Sequence, residues 1–229
     1  MPPEQPQPRS QVAIFDLDRT ITTFGTFTPF LLGTRKAFAT RALLLLRFLP
    51  HMIAYKGGAI SRRDLKNKML RAAFTNLNRD KIAEFAEEFV ARTLSTGLRG
   101  PAIAAIADHK ARGDFLVLAT ASVDFYASLF AARLGFDTCV STATNFSDRS
   151  NAALKIIGPN CYGADKVEMV TMALTGQNGR ARNQQHWTFY SDHHSDFALL
   201  EICDAAFVIS PKQKTRRQAG QRGFAILDW

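Results

Sequence analysis

The sequence has few cysteines, and its first ten residues contain no apolar run. Its three cysteines, Cys139, Cys161 and Cys203, form no CxxC pair, and their odd number argues against a disulfide framework. Residues 1–10 are rich in proline and contain no apolar run, so they predict a disordered tail and not a signal peptide. We therefore expect a protein of the reducing cytoplasm.

No apolar stretch in the sequence is long enough to cross a membrane. The longest one, Ala42 to Tyr55, is interrupted by Arg47, Pro50 and His51, whereas a membrane-spanning helix needs about 20 consecutive apolar residues. The 229 residues are nevertheless 46% hydrophobic, which is enough for one good core and a smaller appended unit.

Acidic residues are almost absent from one segment of the chain. Residues 31–75 contain ten Lys or Arg and one acid, Asp64, so this segment carries a net charge of +9, equal to that of the whole chain. Cations interleaved with large apolar residues, as in Leu46-Arg47-Phe48, are typical of a membrane-surface element or a binder of anionic substrates. The simpler alternative is a soluble helical unit with a solvated basic face.

Apolar runs of strand length alternate with helical patterns along most of the chain. Strands that alternate with helices predict right-handed crossovers and a mostly parallel sheet, in a Rossmann-like three-layer α/β sandwich. The predicted strands are Val12–Asp16, Phe115–Thr120, Trp187–Ser191 and Ala205–Ile209. The predicted helices between them are Pro101–Lys110, Asp124–Leu134 and Asp165–Leu174.

The block over residues 24–99 interrupts this alternation because it contains only helical patterns. The predicted helices in it are Thr34–Phe48, Arg62–Phe74 and Arg79–Leu94. An all-helical insert directly after the first strand predicts a cap over 24–99, mounted on a core that consists of 11–23 and 100–229. Residues 141–160 are short and irregular, and we predict a β-hairpin or flap there.

Two carboxylates close the first predicted strand. Asp16 and Asp18 stand in Ile-Phe-Asp-Leu-Asp-Arg-Thr, and strand alternation points both side chains the same way. Like charges repel unless a cation or a proton lies between them. Ligands of open α/β sheets bind at the carboxyl ends of the strands. The pair therefore indicates a metal-assisted site in which one carboxylate attacks and the other manages a proton.

Further polar groups follow the later strands. Thr120-Ala121-Ser122 closes the second strand, Asp192 and Asp196 follow the one that ends at Ser191, and Lys166 opens a helix. Together with Asp-x-Asp-x-Thr at 16–20, this ordered set resembles the haloacid dehalogenase superfamily in its phosphatase branch, over residues 11–229. The helical insert resembles the cap of subfamily IB, which includes the phosphoserine phosphatases.

The resemblance implies a Mg²⁺-dependent hydrolase of phosphomonoesters. Asp16 would attack phosphorus and form an aspartyl-phosphate, while Asp18 would protonate the leaving oxygen and then activate water. The implied magnesium site has Asp192 as a direct ligand, the backbone carbonyl of Asp18 as another, and Asp196 as support behind them. The metal-site residues are thus Asp16, Asp18, Asp192 and Asp196.

The resemblance also implies a set of substrate-binding residues. Thr120 would donate a hydrogen bond to a phosphoryl oxygen beside Ala121, and Lys166 would balance charge on the nucleophile and the phosphoryl group. Arg19 stands where many superfamily members have Gly or Ser, and it either meets an anionic substrate or points to solvent.

Three side chains near these signatures also have simpler interpretations. Asp196 has an alternative role as a helix N-cap, which it could combine with support of the metal. His193 and His194 are expected to be surface loop residues, because their neighbours favour hard oxygen ligands.

The substrate is less well indicated than the chemistry. Phosphoserine phosphatases usually have Ser-Gly-Gly where this chain has Thr120-Ala121-Ser122. They also bind the amino-acid part of the substrate with a glutamate and an arginine of the cap, whereas the cap of this chain has no glutamate before Glu84. The cap instead resembles that of the C-type phosphatidylglycerophosphatases. Three segments carry this resemblance: Phe24–Phe30, Leu49-Pro50 and Lys56-Gly57-Gly58. We predict a peripheral phosphatase of a lipid phosphate such as phosphatidylglycerophosphate, on the inner membrane face.

Two other classes of function stay open. A soluble small-molecule phosphatase, for phosphoserine or a similar substrate, would use the basic cap only to attract anionic metabolites. A nonenzymatic binder of anions or nucleic acid is the more remote alternative. The basic segment has few aromatic residues among its cations and no recognised nucleic-acid motif, so we expect no nucleic-acid partner.

Overall fold

A computed structural model describes residues 10–75, 77–146, 154–178 and 181–229. The strands are β1 (Ser10–Phe15), β2 (Phe115–Val123), β3 (Thr138–Thr142), β4 (Thr144–Phe146), β5 (Leu154–Ile156), β6 (Gln185–Ser191), β7 (Ala205–Ile209) and β8 (Ala225–Leu227). The helices are α1 (Phe27–Gly33), α2 (Phe38–Lys56), α3 (Arg62–Phe74), α4 (Arg79–Thr96), α5 (Gly100–Ala111), α6 (Asp124–Leu134), α7 (Ala164–Asn178), α8 (Phe197–Ile202) and α9 (Gln213–Gln221). Short helical turns cover Leu17–Ile21, Arg182–Gln184 and His194–Asp196.

Six strands form one parallel sheet in the order β3-β2-β1-β6-β7-β8. The first strand of the chain thus lies at the centre, between β2 and β6, as right-handed crossovers on both sides of a doubly wound sheet produce. The predicted parallel α/β fold is confirmed. β4 and β5 pair antiparallel, which agrees with the hairpin predicted over 141–160; residues 147–153 between them lie outside the described part of the chain.

The sheet is covered on both faces. Along β1, Val12 and Ile14 join one buried cluster together with Trp187, whereas Ala13 and Phe15 join the other. A strand that is buried on both faces of a sheet has a continuous run of apolar residues, and β1 has this pattern. The sheet is therefore the middle one of three layers, as the sequence predicts.

Helices α1 to α4, named here the cap helices, lie between β1 and α5 in the chain. The chain leaves and re-enters the core at adjacent points, because Thr22 and Leu98 form an antiparallel bridge and the Thr23 N–H donates to the Gly97 carbonyl at 2.9 Å. The cap limits of 24 and 99 stay a prediction. Ser10 belongs to β1, and the other residues of the predicted tail lie outside the described residues.

Aromatic rings fasten the cap helices to the core. Phe30 of α1 is fully buried, and its ring centroid lies 4.6 Å from that of Tyr126 and 5.5 Å from that of Phe125, both on α6. Phe89 of α4 packs edge-on against Phe30 and Tyr126. Tilted and edge-to-face pairs of this kind add about 0.5–1.5 kcal/mol each beyond their buried area.

The cap departs from prediction in two places. Helix α2 runs from Phe38 to Lys56, whereas the prediction ended that helix at Phe48, before Pro50. Proline deprives a helix of one hydrogen bond without forcing it to stop, and here the helix continues for six residues beyond it. Helix α1 was not predicted; it is only seven residues long and has Pro29 in its first turn. No described helix has the length and apolarity that crossing a bilayer requires.

Candidate active site

The ends of the two central strands place their carboxylates next to each other. β1 ends at Phe15, directly before Asp16, and β6 ends at Ser191, directly before Asp192. The Asp16 N–H donates to the Tyr190 carbonyl at 2.9 Å, which continues the parallel ladder to the strand ends. Parallel pairing thus brings residues that are far apart in sequence to one edge of the sheet.

A cavity of about 220 Å³ opens at this edge. Seven of the predicted site residues line it, namely Asp16, Asp18, Arg19, Ala121, Lys166, Asp192 and Asp196. Thr120 is not part of its wall. That residue is fully buried in β2, and its Oγ1 accepts a hydrogen bond from the Ser122 N–H at 3.1 Å. The structure therefore brings together the predicted carboxylates and the lysine but leaves the threonine behind the wall.

Lys166 joins two of the carboxylates. Its Nζ lies 3.0 Å from Asp16 Oδ1 and 2.7 Å from Asp196 Oδ2, and the lysine side chain is only 2% exposed. Asp196 Oδ2 also accepts from the Ser191 hydroxyl at 2.7 Å. The carboxylate of Asp196 makes no capping hydrogen bond to α8, so its contacts are those of a group that positions Lys166.

The pKa values in the site follow from burial and from crowding of negative charge. Burial raises the pKa of Asp16 well above its ordinary value; Lys166 opposes the rise, and Asp196, Asp192 and Asp18 add to it. Burial, followed by Asp196, raises the pKa of Asp192 to about 7. Burial alone would lower the pKa of Lys166, but Asp16 and Asp196 outweigh it and raise that pKa, so the lysine stays charged.

Asp18 is held by a network of hydroxyl groups. Its Oδ1 accepts from the Thr26 N–H and the Thr26 hydroxyl, both at 2.6 Å, and its Oδ2 accepts from the Ser122 hydroxyl at 3.1 Å. The Tyr126 hydroxyl donates to Ser122 Oγ at 2.8 Å and lies 3.1 Å from Thr26 Oγ1. Residues from the cap and the core thus fix the orientation of this carboxylate together.

The arrangement fits a hard divalent cation. Within the described ranges, no group of three or more His, Cys, Asp or Glu side chains is arranged to hold a metal ion by itself. The predicted donor set does not need three side chains, because it combines Asp16 and Asp192 with the Asp18 carbonyl, and Mg²⁺ typically keeps several waters. In the part of the chain that the structure describes, four acids line the cavity, and the one lysine there contacts only Asp16 and Asp196 among them, so Asp18 and Asp192 have no lysine partner.

Two arginines line the cavity in addition to the lysine. Arg19 is exposed at the mouth and has a left-handed backbone with φ 62°, a conformation that costs a non-glycine residue about 1 kcal/mol and is often kept at functional sites. Arg19 thus lines the cavity and is exposed to solvent, and its contact with an anionic substrate stays a prediction. Arg62 of α3 also lines the cavity, and its guanidinium stacks on the Tyr162 ring with Cζ 3.9 Å from the centroid.

Lys66 is a cation that sequence reasoning did not assign to the site. It lies one turn after Arg62 on α3, is 6% exposed, and its Nζ donates to the Ala121 carbonyl and to Asn160 Oδ1, both at 2.5 Å. Burial, followed by Arg62, lowers its pKa to about 7. A signal was present in the sequence, because Lys66, Met69, Leu70 and Ala73 share the apolar face of the helix.

The expectation for His193 is corrected by the structure, and that for His194 is met. His194 is exposed, but His193 is half-buried and lines the cavity. His193 Nδ1 lies 2.9 Å from the Ser195 hydroxyl, and burial, followed by His194, lowers the pKa of His193 to about 4. A loop that folds back over a strand end buries one of two adjacent side chains, and the sequence carries no sign of which one.

Residues 13–201 match the family of haloacid dehalogenase-like hydrolases. The chain belongs to this family. It is 31% identical to protein CicA of Caulobacter vibrioides over 193 residues, which cover 83% of this chain and 82% of that one. It is 24% identical to a probable phosphatase of Mycobacterium tuberculosis, over 100% of this chain and 80% of that one.

Solved structures give the same result for the fold. A protein of unknown function from Bordetella pertussis Tohama I aligns with a TM-score of 0.83 and 26% identity, over 96% of this chain and 99% of that one. A phosphoserine phosphatase, solved as a phospho-aspartyl intermediate analogue, aligns with a TM-score of 0.63 and 14% identity, over 95% and 92% of the two chains. The protein is thus a haloacid dehalogenase-like hydrolase whose fold is similar to that of a phosphoserine phosphatase.

Proposed function

We propose that the protein hydrolyses phosphomonoesters in two steps through a phosphorylated Asp16. In the first step, an Asp16 carboxylate oxygen bonds to phosphorus, the bond from phosphorus to the leaving oxygen breaks, and Asp18 gives that oxygen a proton. In the second step, Asp18 takes a proton from water, the water oxygen bonds to phosphorus, and the bond to Asp16 breaks. Inorganic phosphate leaves, and both carboxylates return to their initial state.

The residues around these carboxylates support the two roles. Lys166 neutralises Asp16 at 3.0 Å and offsets the charge of an approaching phosphate dianion. The hydroxyls of Thr26 and Ser122 fix the orientation of the Asp18 carboxylate, as proton transfer requires. A bound Mg²⁺ would be held by Asp16, Asp192 and the Asp18 carbonyl, and it would supply further neutralisation of phosphoryl charge.

The observation that carries the proposal is the buried contact of Lys166 with Asp16 at the end of the central strand. Asp16→Asn removes the nucleophile and changes few atoms. We expect this variant to lose at least about a thousandfold in kcat on p-nitrophenyl phosphate with Mg²⁺, while its circular dichroism spectrum stays unchanged. Asp137→Asn, on an exposed turn outside the cavity, is the matched control. Turnover by Asp16→Asn at the wild-type rate would contradict the proposal.

The cavity wall supports a substrate that carries a second negative charge. Beyond the lysine, the cations that line the wall are Arg19 and Arg62, and the four acids there all follow core strands, none coming from the cap helices. A leaving group with a carboxylate or a phosphodiester would meet a guanidinium, whereas an ammonium group would find no acid on the cap side. Loss of Arg62 is expected to raise KM for such substrates more than for a monoanionic aryl leaving group.

The finer part of the proposal is that the substrate is a lipid phosphate, such as phosphatidylglycerophosphate, at an anionic membrane surface. Its support is the net charge of +9 in residues 31–75, which form most of the cap helices. Each Lys or Arg near an anionic bilayer contributes about 1 kcal/mol to surface binding. The phosphodiester of this lipid also provides the second negative charge that Arg19 and Arg62 favour.

A soluble small-molecule phosphatase is the second candidate, and the size of the cavity favours it. About 220 Å³ accommodates a phosphate and a small leaving group but not two acyl chains, which a lipid would have to leave outside. A panel of phosphoserine, sugar phosphates and detergent-solubilised phosphatidylglycerophosphate, assayed with Mg²⁺, separates the candidates by kcat/KM. A lipid value below that of the soluble esters would remove the lipid proposal and leave the phosphatase chemistry intact.

A further inference from the structure

Helix α2 presents a large apolar surface to solvent. Eleven large hydrophobic side chains are exposed among the described residues, and eight of them lie in this one helix, which buries only Leu44 and Phe48 fully. Monomeric soluble proteins rarely expose contiguous apolar patches of this kind, and such patches mark interaction sites. The eight residues, named here the α2 apolar face, are Phe38, Leu43, Leu45, Leu46, Leu49, Met52, Ile53 and Tyr55.

Four of these eight side chains form one stripe along the helix, and Leu46 and Ile53 lie beside it. Phe38, Leu45, Leu49 and Met52 follow each other at intervals of seven, four and three residues, which is the spacing of a single helical face. Phe38, Leu46 and Ile53 are 86%, 64% and 62% exposed. The stripe is solvent-exposed along all five turns of the helix. Only a partner surface that is flat and apolar over the same length would bury it.

Charge at the borders of the stripe identifies the partner. The chain has no acidic residue between Asp18 and Asp64, and cations lie before the stripe, beside it and at its end. They are Arg35, Lys36, Arg41 and Lys56. Cations around an apolar helix face are the pattern of helices that lie in the headgroup region of anionic lipids, where the apolar side chains enter the acyl boundary.

A second copy of the chain fits this face less well. In an antiparallel pairing of two α2 helices, Arg35 and Lys36 of one copy would lie near Lys56 of the other, and a parallel pairing would oppose identical cations. No acid on the helix offsets this repulsion, and like charges facing each other across an interface cost several kcal/mol. Anionic lipid headgroups remove the same problem, because they supply the missing negative charge.

We propose that the α2 apolar face docks the protein on an anionic lipid membrane, with α2 lying in the plane of the surface. The end of this helix is close to the candidate active site, because Lys56 and Arg62 are six residues apart and cannot be separated by more than about 20 Å. Docking would thus bring the cavity mouth to the headgroup layer. Membrane docking itself does not depend on the proposed function. Only the inference that the membrane presents the substrate rests on it.

Flotation with lipid vesicles tests the docking surface separately from catalysis. We expect the full chain to float with vesicles of phosphatidylglycerol and phosphatidylcholine at low salt. Leu46→Gln/Ile53→Gln should reduce the bound fraction at least about tenfold, because two apolar contacts become polar. Met172→Gln/Ile202→Gln changes two exposed residues outside α2 and should float like the wild type. All four proteins, including Asp16→Asn, are compared, and turnover of p-nitrophenyl phosphate is measured in parallel.

The outcomes separate the docking proposal from the proposed function. The docking proposal is overturned if the wild type does not bind anionic vesicles at low salt. It is also overturned if the Leu46→Gln/Ile53→Gln variant binds them like the wild type. If the wild type sediments as a dimer and this variant sediments as a monomer, the α2 apolar face binds a second copy of the chain, and the docking proposal is overturned. If the wild type floats but hydrolyses no phosphomonoester, the proposed function fails while the docking surface stands.

Discussion

Lys166 is the single cation between two buried carboxylates, Asp16 and Asp196. Removing one partner of a buried ion pair leaves an uncompensated charge and costs about 3–5 kcal/mol. We expect Lys166→Met to lower the free energy of unfolding by that amount at pH 8 in metal-free buffer, as measured by urea denaturation. The loss should shrink at pH 5, because burial raises the pKa of Asp16 and this carboxyl takes up a proton there once the lysine no longer opposes the rise.

A double variant provides the control for that measurement. Lys166→Met/Asp196→Asn also removes one of the two charges, so it should recover part of the lost stability at pH 8. A Lys166→Met variant that loses less than about 1 kcal/mol at pH 8 would show that Lys166 does not neutralise this pair.

Lys66 gives the stability of the protein a distinct pH dependence. Because its pKa is lowered to about 7, the unfolded state binds more protons than the folded state between pH 7 and about pH 10, and the free energy of unfolding must rise with pH there. In Lys66→Met this contribution is missing. The difference between wild type and variant should therefore rise with pH by up to about 1.4 kcal/mol per unit, in urea titrations from pH 6 to pH 9.

Lys68→Met is the matched control for Lys66, because it removes a lysine of the same helix whose side chain is exposed. Its stability difference from the wild type should not change with pH in this window. A flat difference for Lys66→Met would mean that Lys66 has an ordinary pKa despite its burial.

Residues of the site differ in how far the sequence reveals them. Asp16, Asp18 and Asp192 follow strand ends, and the rule that parallel strands carry their ligands at the carboxyl ends places them without any contact information. The Ser122 hydroxyl binds Asp18 and itself accepts from the Tyr126 hydroxyl of α6, and both contacts depend on tertiary packing that no spacing in the sequence expresses. Arg62 was recognised as part of a basic segment, but its stacking on Tyr162 depends on the cap position.

Helix α2 contains Pro50 in its interior, at an exposed position. The missing N–H leaves one helical carbonyl without its donor, and proline is about 3 kcal/mol less favourable than alanine inside a helix. We expect Pro50→Ala to raise the free energy of unfolding by about 1–3 kcal/mol in urea denaturation.

Arg47→Ala is the control for Pro50, since it replaces an exposed side chain of the same helix by alanine and should change the stability by less than about 0.5 kcal/mol. If Pro50→Ala destabilises the protein, the helix needs a bend at this position to pack against α3.

At the scale of elements, the best-predicted segments are those with recognisable start or stop residues, whereas both bounds of α2, the longest described helix, were missed. Asp124–Leu134, Arg62–Phe74 and Ala205–Ile209 have the predicted bounds, because each has a clear period and a recognisable start or stop residue. The short α1 lacks both, and the strand β8 has only three residues. Such elements form because the rest of the fold gives them a surface to pack on, so their own residues carry little signal.

The separation of charge acts on the molecule as a whole. All of the net positive charge belongs to residues 31–75, on the cap side of the cavity, so anionic substrates should be attracted from a distance. We expect kcat/KM for a soluble dianionic phosphomonoester to fall several-fold between about 20 and 300 mM salt, since the Debye length shortens from about 20 Å to below 10 Å.

Paired charge variants test where this attraction originates. Arg41→Gln/Arg47→Gln should weaken the salt dependence, whereas Lys212→Gln/Lys214→Gln removes two exposed charges outside the segment and should leave it nearly unchanged. Equal effects of the two pairs would mean that the net charge matters and its position does not.

The adjacent crossing points of the chain at Thr22 and Leu98 have an evolutionary consequence. The segment between them can change in length or sequence while the ladder that aligns β1 with β2 and β6 is kept, because that ladder contains no residue of the insert. Descendants of one ancestor can thus acquire new substrates by grafting a different insert, while inheriting the phosphate chemistry unaltered.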